Sequence, residues 1–289
     1  MTKAAAKTGV SPTALIAIEQ YFPKKQRIIE DDLAYRILPF GARALVRLVR
    51  PNWVRSWLVL TTEKNYPGIW GGMMCRKRYI DEKLIDSSNQ IEAVVNLGAG
   101  FDTRAYRLPP LSDIPVWEVD QLENIKAKQT RLRKALGTIP SHVKLVAIDL
   151  DRDDPGTILG SHGYSTDKRT FFILEALTQY LTEKGIRTTF DFLAKAARGS
   201  LLVFTYLRKD FLDGRVMYGG EKFYKKYVVK DKIWLFGMDP DALPNFLKEY
   251  GWQKIEDVGY DEIAEKYIKP TGRILASTPI ERMVYAEKL

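Results

Sequence analysis

The sequence contains one cysteine, Cys75, and two histidines, His142 and His162, in 289 residues. A single thiol excludes an intramolecular disulfide framework and any zinc site built from several cysteines. So few imidazoles also argue against transition-metal ligation, and no resident metal is expected. Long apolar runs are missing as well. The most apolar early stretch, residues 44–60, is interrupted by Arg47, Arg50 and Arg55 and broken at Pro51, which argues against a membrane span. The opening MTKAAAKTGV is basic but lacks the apolar region and cleavage site of a secretory signal, so a cytoplasmic location is expected. No internal repeat, low-complexity tract or flexible linker is visible.

What is present is an ordinary globular composition, 45% hydrophobic and 28% charged, long enough to bury a substantial core. The net charge of +9 is front-loaded: residues 1–90 hold 15 Lys or Arg against 8 Asp or Glu. Such a bias suits a solvated basic face, but also attraction to nucleic acid, anionic membrane or acidic small molecules. The first 90 residues read as helices over 12–21, 40–50 (ended by Pro51) and 73–85, an extension or lid contributing to a cleft. From residue 91 short runs rich in Val, Ile and Phe alternate with helical stretches. The runs at 93–97, 116–119, 143–148, 170–174 and 201–206 are too continuously apolar for half-exposed strands and imply a parallel sheet covered on both faces. Helices are expected at 122–136, 185–197 and 240–250, late strands at 253–258 and 282–286, and a substrate-side insertion at 207–237. The expected fold is α/β, a mostly parallel seven-stranded sheet with helices on both faces and an N-terminal helical extension.

The first strand runs into Asn96-Leu97-Gly98-Ala99-Gly100-Phe101-Asp102-Thr103, where two glycines allow a sharp turn and close backbone approach to a ligand. A tight turn without ligand satisfies the same pattern. The dinucleotide fingerprint wants a third glycine where Thr103 stands, so nicotinamide and flavin dinucleotides are disfavoured. Asp120, Asp149 and Glu175 each follow or end one of the next runs, at the carboxyl edge where open α/β sheets bind ligands. Asp120 suits ribose hydroxyls, Asp149 with Leu150 an adenine, and Glu175 a more distal group. Each acid alone could equally be a strand-end cap or a surface charge.

The segment from Val94 to Arg104 resembles the signature of the leucine carboxyl methyltransferase family, and more closely its bacterial branch of S-adenosylmethionine-dependent O-methyltransferases. The resemblance extends through Ile29 to Ala34, Arg76 to Asp81, Glu118-Val119-Asp120, Tyr180-Leu181-Thr182, Tyr250-Gly251-Trp252 and Glu281-Arg282. It implies a class I, Rossmann-like methyltransferase fold. It also implies S-adenosylmethionine as cofactor, bound by the Gly98 to Gly100 loop, with Asp120 on the ribose and Asp149 and Leu150 at the adenine. Arg76 would hold the methionine carboxylate and Glu175 would lie near the amine. Ala176 departs from the pattern, since relatives commonly carry glycine after the glutamate.

Methyl transfer from a sulfonium is an in-line displacement that needs an aligned and already anionic, or deprotonated, acceptor. Neither histidine is expected near the methyl group. An acidic small molecule, carboxylate or low-pKa hydroxyl, therefore fits better than a simple alcohol. Arg104, Arg208 and Lys209 are candidate anion holders at the mouth. Tyr180, Tyr206, Tyr218 and Phe223 are candidate walls, with Tyr180, Tyr206 and Arg104 the catalytic candidates. Protein carboxyl methylation and a basic RNA-binding or RNA-modifying role are the alternatives, and residues 40–60 could instead form a membrane-surface face. No specific nucleic-acid partner is expected.

Overall fold

The computed structural model describes residues 10–276 and 278–289. Among the described residues five α-helices precede the sheet: α1 (Val10–Glu19), α2 (Asp32–Ile37), α3 (Phe40–Leu48), α4 (Asn52–Asn65) and α5 (Ile69–Ser87). The sheet then begins with β1 (Ala93–Leu97), followed by α6 (Arg104–Arg107), β2 (Val116–Asp120), α7 (Leu122–Leu136), β3 (Val143–Ala147) and α8 (Pro155–Ser161). It continues through β4 (Thr170–Leu174), α9 (Glu183–Leu193) and β5 (Leu201–Leu207). Past β5 lie α10 (Lys209–Leu212), α11 (Glu221–Phe223) running on into a π-helical stretch, Tyr224–Lys230, and α12 (Leu243–Glu249). The chain closes with β6 (Trp252–Gly259), α13 (Tyr260–Tyr267) and β7 (Glu281–Lys288).

The strand order is β3-β2-β1-β4-β5-β7-β6, parallel throughout except for β7, which runs antiparallel to both β5 and β6. Because successive strand side chains point to opposite faces, the apolar runs fill two cores at once. Val94, Val116, Phe171, Ile173 and Val203 pack with α1, α5 and α13 on one face. Val95, Leu97, Trp117, Phe172 and Phe204 pack with α8, α9 and α12 on the other. The expectation of strands buried on both faces holds for β1, β2, β4 and β5 but not for the edge strand β3, where Lys144 is exposed.

Within the extension two helices, α2 and α4, were not expected. Asp31 caps α2, its Oδ1 accepting from the Ala34 amide at 2.9 Å, a side-chain cap worth about 1 kcal/mol. Pro51 ends the preceding segment but also stands at the N-cap of α4, where its fixed φ and missing N–H cost nothing. The extension is pinned to the sheet domain through Glu19. This fully buried carboxylate accepts from the Ile28 amide and Trp70 Nε1 and pairs with Arg273 at 2.6 Å. Among the described residues no helix is long and apolar enough to cross a membrane.

Candidate active site

The strand order reverses between β1 and β4, and the loops leaving their carboxyl ends part to leave a crevice, the usual ligand position in such sheets. A cavity of about 160 Å³ lies there, lined by the Gly98 to Thr103 loop, Asp120, Asn124, Glu175 and Ala176, with Thr13, Ile16 and Asp31 closing it from the extension. Gly98 has φ +71°, and a Cβ on it would stand 2.7 Å from Leu177 Cδ1, so only glycine fits. Asp120 at the end of β2 accepts from the Gly100 amide with Oδ2 and from the Gln121 amide and Asn124 Nδ2 with Oδ1, each at 2.7 Å. Its carboxylate is thereby fixed in the floor of the cavity.

Glu175 is the hub of a buried ion network. Its Oε1 lies 3.0 Å from Arg76 Nε, and its Oε2 meets Lys77 Nζ at 3.1 Å and Arg104 Nη1 at 2.6 Å. Burial by itself would raise this carboxyl, but Lys77, Arg104 and Arg76 together hold it well below the ordinary range. Arg104, 1% exposed, also binds Asp81 and Asp102 and donates to the Lys77 carbonyl. Asp102, pushed up by desolvation and pulled down further by Arg104, is likewise kept ionised. Asp31 behaves oppositely: burial raises it in spite of Arg107 and the Thr103 hydroxyl at 2.6 Å.

A second cavity, of about 420 Å³, opens beyond the first, and the two share Pro12, Arg76, Ala176 and Tyr180 in their walls. Its lining is mainly apolar and aromatic, including Ile69, Met73, Phe223, Tyr227, Trp234 and Met283. Tyr227 stacks on Trp234 with ring centroids 4.6 Å apart, and Phe223 stacks on both at 6.2 and 6.1 Å. Five buried polar atoms on residues of this wall lack a hydrogen-bond partner among the described residues: Gln179 Oε1, Trp234 Nε1, Tyr260 Oη, Thr278 Oγ1 and Glu281 Oε1. Orphan buried polar groups are rare and costly, so their gathering around one cavity sets this wall apart.

The leucine carboxyl methyltransferase family model matches residues 9–194. The chain belongs to that family. A protein of Mycobacterium avium, provisionally named an S-adenosyl-L-methionine-dependent methyltransferase, is 32% identical over 205 residues, covering 69% of this chain and 67% of the relative. A relative from Mycolicibacterium paratuberculosis with the same provisional name is 37% identical over 187 residues, covering 60% of this chain and 56% of its own. A structure of a provisionally assigned methyltransferase from Thermobifida fusca superimposes with a TM-score of 0.59 at 14% identity, covering 94% and 97% of the two chains. The family and the fold are those of S-adenosylmethionine-dependent class I methyltransferases, and this family member shares both.

The cofactor-side residues named from sequence divide into two groups in this leucine carboxyl methyltransferase family chain. Arg76, Gly98, Gly100, Asp120 and Glu175 line the first cavity together. Asp149 and Leu150 do not: Asp149 faces the Asp151 amide and Arg152, and Leu150 is buried in the core. Of the catalytic candidates, Tyr180 stands where the cavities meet, whereas Tyr206 is fully buried with its hydroxyl donating to Asp257 at 3.1 Å. Arg104 lies inside the ion network rather than at the mouth. Arg208 pairs with Asp210 and Lys209 with Asp213, and neither lines either of these two cavities. Phe223 forms part of the expected wall, but Tyr218 turns away to donate to Asp210. His142 faces the Ala105 carbonyl and His162 the Ile158 carbonyl, away from both cavities.

Residues not anticipated include Lys77, Asp31, Asn124 and the unpartnered set around Trp234. Asp31 and Glu281 carried a signal, since both sit in stretches that resemble the family. Ala176 adopts φ +50°, a left-handed conformation that glycine takes more easily, and donates its amide to Thr205 Oγ1 at 2.9 Å.

Proposed function

We propose that this protein is an S-adenosylmethionine-dependent O-methyltransferase acting on a small, largely apolar aromatic molecule that presents a hydroxyl of low pKa. The observation that carries this reading is the junction of two cavities, a polar one with an ionised floor and an aromatic one with unpartnered polar atoms. The first suits the cofactor. Asp120 offers two carboxylate oxygens to a ribose diol, Arg76 and Lys77 beside Glu175 match a zwitterionic amino-acid tail, and Gly98 keeps the loop free of side chain. When bound, the cofactor supplies an electrophilic methyl group.

The chain's own residues then bind and orient the acceptor. The Phe223, Tyr227 and Trp234 stack receives a flat ring, and alignment of its oxygen supplies much of the acceleration. Glu281, fixed by Arg76 at 2.7 Å through Oε2, lines this cavity and is the carboxylate that would take the acceptor's O–H proton. Charge in this cavity is balanced, Arg76 and Lys226 against Glu281 and Asp231, so an arriving carboxylate gains no net attraction. A hydroxyl acceptor therefore fits better than a carboxylate.

The family's description favours a second reading, methyl esterification of a protein carboxylate. Incubating the protein with labelled cofactor and either mono- and bicyclic phenols or peptides ending in leucine separates the two. A base-stable labelled ether is expected from a phenol. A base-labile ester formed only on peptides would overturn the first reading in favour of the second.

A further inference from the structure

We infer that the α3–α4 pair is a docking face for anionic lipid bilayers. This inference is independent of the acceptor's identity. On α4, Trp53, Trp57 and Leu60 recur at helical spacing on one stripe, and on α3 Phe40, Leu45 and Leu48 point outward; these six side chains are 62% to 80% exposed. Soluble monomers rarely leave so many large apolar groups together in water, so the stripe marks a surface that is covered in use.

The charge around it selects the occupant. From Leu33 to Thr62 there is no Asp or Glu, and there are five arginines. Arg47 and Arg50 are exposed beside the α3 stripe, Arg43 is half-buried, and Lys64 is exposed one turn past Leu60. Glu63, the next acid along, turns inward to accept from the Gly68 and Trp70 amides. A second copy of the chain would set these same cations against one another. An anionic bilayer satisfies both features, with headgroups meeting the arginines and the interfacial zone receiving Trp, Phe and Leu.

The platform is fixed in shape. Arg55 is buried, donates to the Arg50 carbonyl and Asn52 Oδ1 at 2.9 Å each, and lies over the Phe22 ring at 4.6 Å, which locks the α3–α4 turn. The far end of α4 runs into the wall of the aromatic cavity: Tyr66 packs 5.0 Å from Phe223, and Ile69 lines the cavity itself. Docking through this face brings the acceptor cavity beside the lipid.

The full-length protein is sedimented with vesicles of phosphatidylcholine alone and of phosphatidylcholine mixed with phosphatidylglycerol, and its size is measured by analytical ultracentrifugation. Co-sedimentation with the mixed vesicles alone, with a blue shift of tryptophan emission, is expected. W53S/W57S should abolish the blue shift and the binding. R47Q/R50Q should weaken binding about 30-fold, from about fivefold per surface cation. These side chains are exposed, so both variants should keep the wild-type thermal midpoint and circular dichroism. The inference is overturned if wild type stays in the supernatant with anionic vesicles, if the variants bind as well as wild type, or if wild type is a dimer that W53S/W57S makes monomeric.

Discussion

Arg104 Nη1 lies 2.6 Å from Glu175 Oε2, and the same guanidinium reaches Asp81 at 2.6 Å and Asp102 at 2.5 Å. One buried cation thus ties together three carboxylates brought from α5, the loop after β1 and the end of β4, with Arg76, Lys77 and Arg107 completing the charge balance. Removing it leaves uncompensated buried charge, which costs far more than the pairing itself contributes. Arg104→Ala is expected to lower unfolding free energy by about 3–5 kcal/mol in urea titrations. Arg104→Lys should recover only part, because an ammonium cannot fork among three acids. A loss below about 1 kcal/mol, the range of an exposed pair, would mean that the network is dispensable.

Acid should act on the same network. The carboxyls of Asp102 and Glu175 are depressed by their cations, so the stability they contribute is fully present above their unfolded values, about pH 4, and is lost as pH falls towards the folded ones. Asp31, raised by burial, has the opposite sign: its cost at neutral pH is relieved on acidification. Urea midpoints measured across pH should stay level down to about pH 5 and fall steeply below about pH 4, and Asp31→Asn should reduce stability little or raise it at neutral pH. A midpoint that rises below about pH 4 would contradict the assigned directions.

Asp120→Ala should weaken S-adenosylhomocysteine by about 1.5–3 kcal/mol through lost charged hydrogen bonds. Isothermal calorimetry measures it, with the thermal midpoint as the control for folding. Unchanged affinity would remove Asp120 from the ribose.

Arg76 and Lys77 are adjacent on α5, yet both reach Glu175. Arg76→Ala and Lys77→Ala are each expected to weaken S-adenosylhomocysteine about tenfold or more, on the scale of a hydrogen bond to a charged group. Arg78, which pairs with Glu82 on the outer surface, should be silent when changed to alanine. Equal small effects at all three positions would mean that the cations merely solvate the helix.

With a phenolic acceptor in hand, Glu281→Gln should lower kcat roughly 100-fold. The amide keeps the bond from Arg76, so affinity for S-adenosylhomocysteine should persist. Wild-type turnover in this variant would exclude Glu281 as the proton acceptor.

The sheet was legible because β1, β2, β4 and β5 are buried on both faces, so their apolar runs stand out against mixed-polarity helices. The extension was harder. Pro51 reads as a stop signal and is also a start signal, and the exposed tryptophans of α4 break the usual link between apolar character and burial. In the site, Gly98, Gly100, Asp120 and Glu175 followed from strand ends, whose position a parallel sheet dictates. Spacing could not show which way Arg104 turns from a four-residue helix, nor that Tyr206, at an inward position of β5, would be consumed by Asp257. The aromatic cavity draws on α5, the segment around the π-helical stretch and β7, which no local pattern connects.

The insertion of β7 between β5 and β6 has a bearing on biosynthesis. Glu281 opens this strand, opposite Leu207, yet its carboxylate must meet Arg76, 205 positions earlier in the chain. Parallel strands up to β5 can associate as they leave the ribosome, but the acceptor wall closes only when β7 slots between two strands already made. Until then β5 and β6 each offer an unpaired edge, the aggregation-prone condition of a partly folded sheet. On the proposed reading of the two cavities, the acceptor wall is accordingly the last part of the site to be completed.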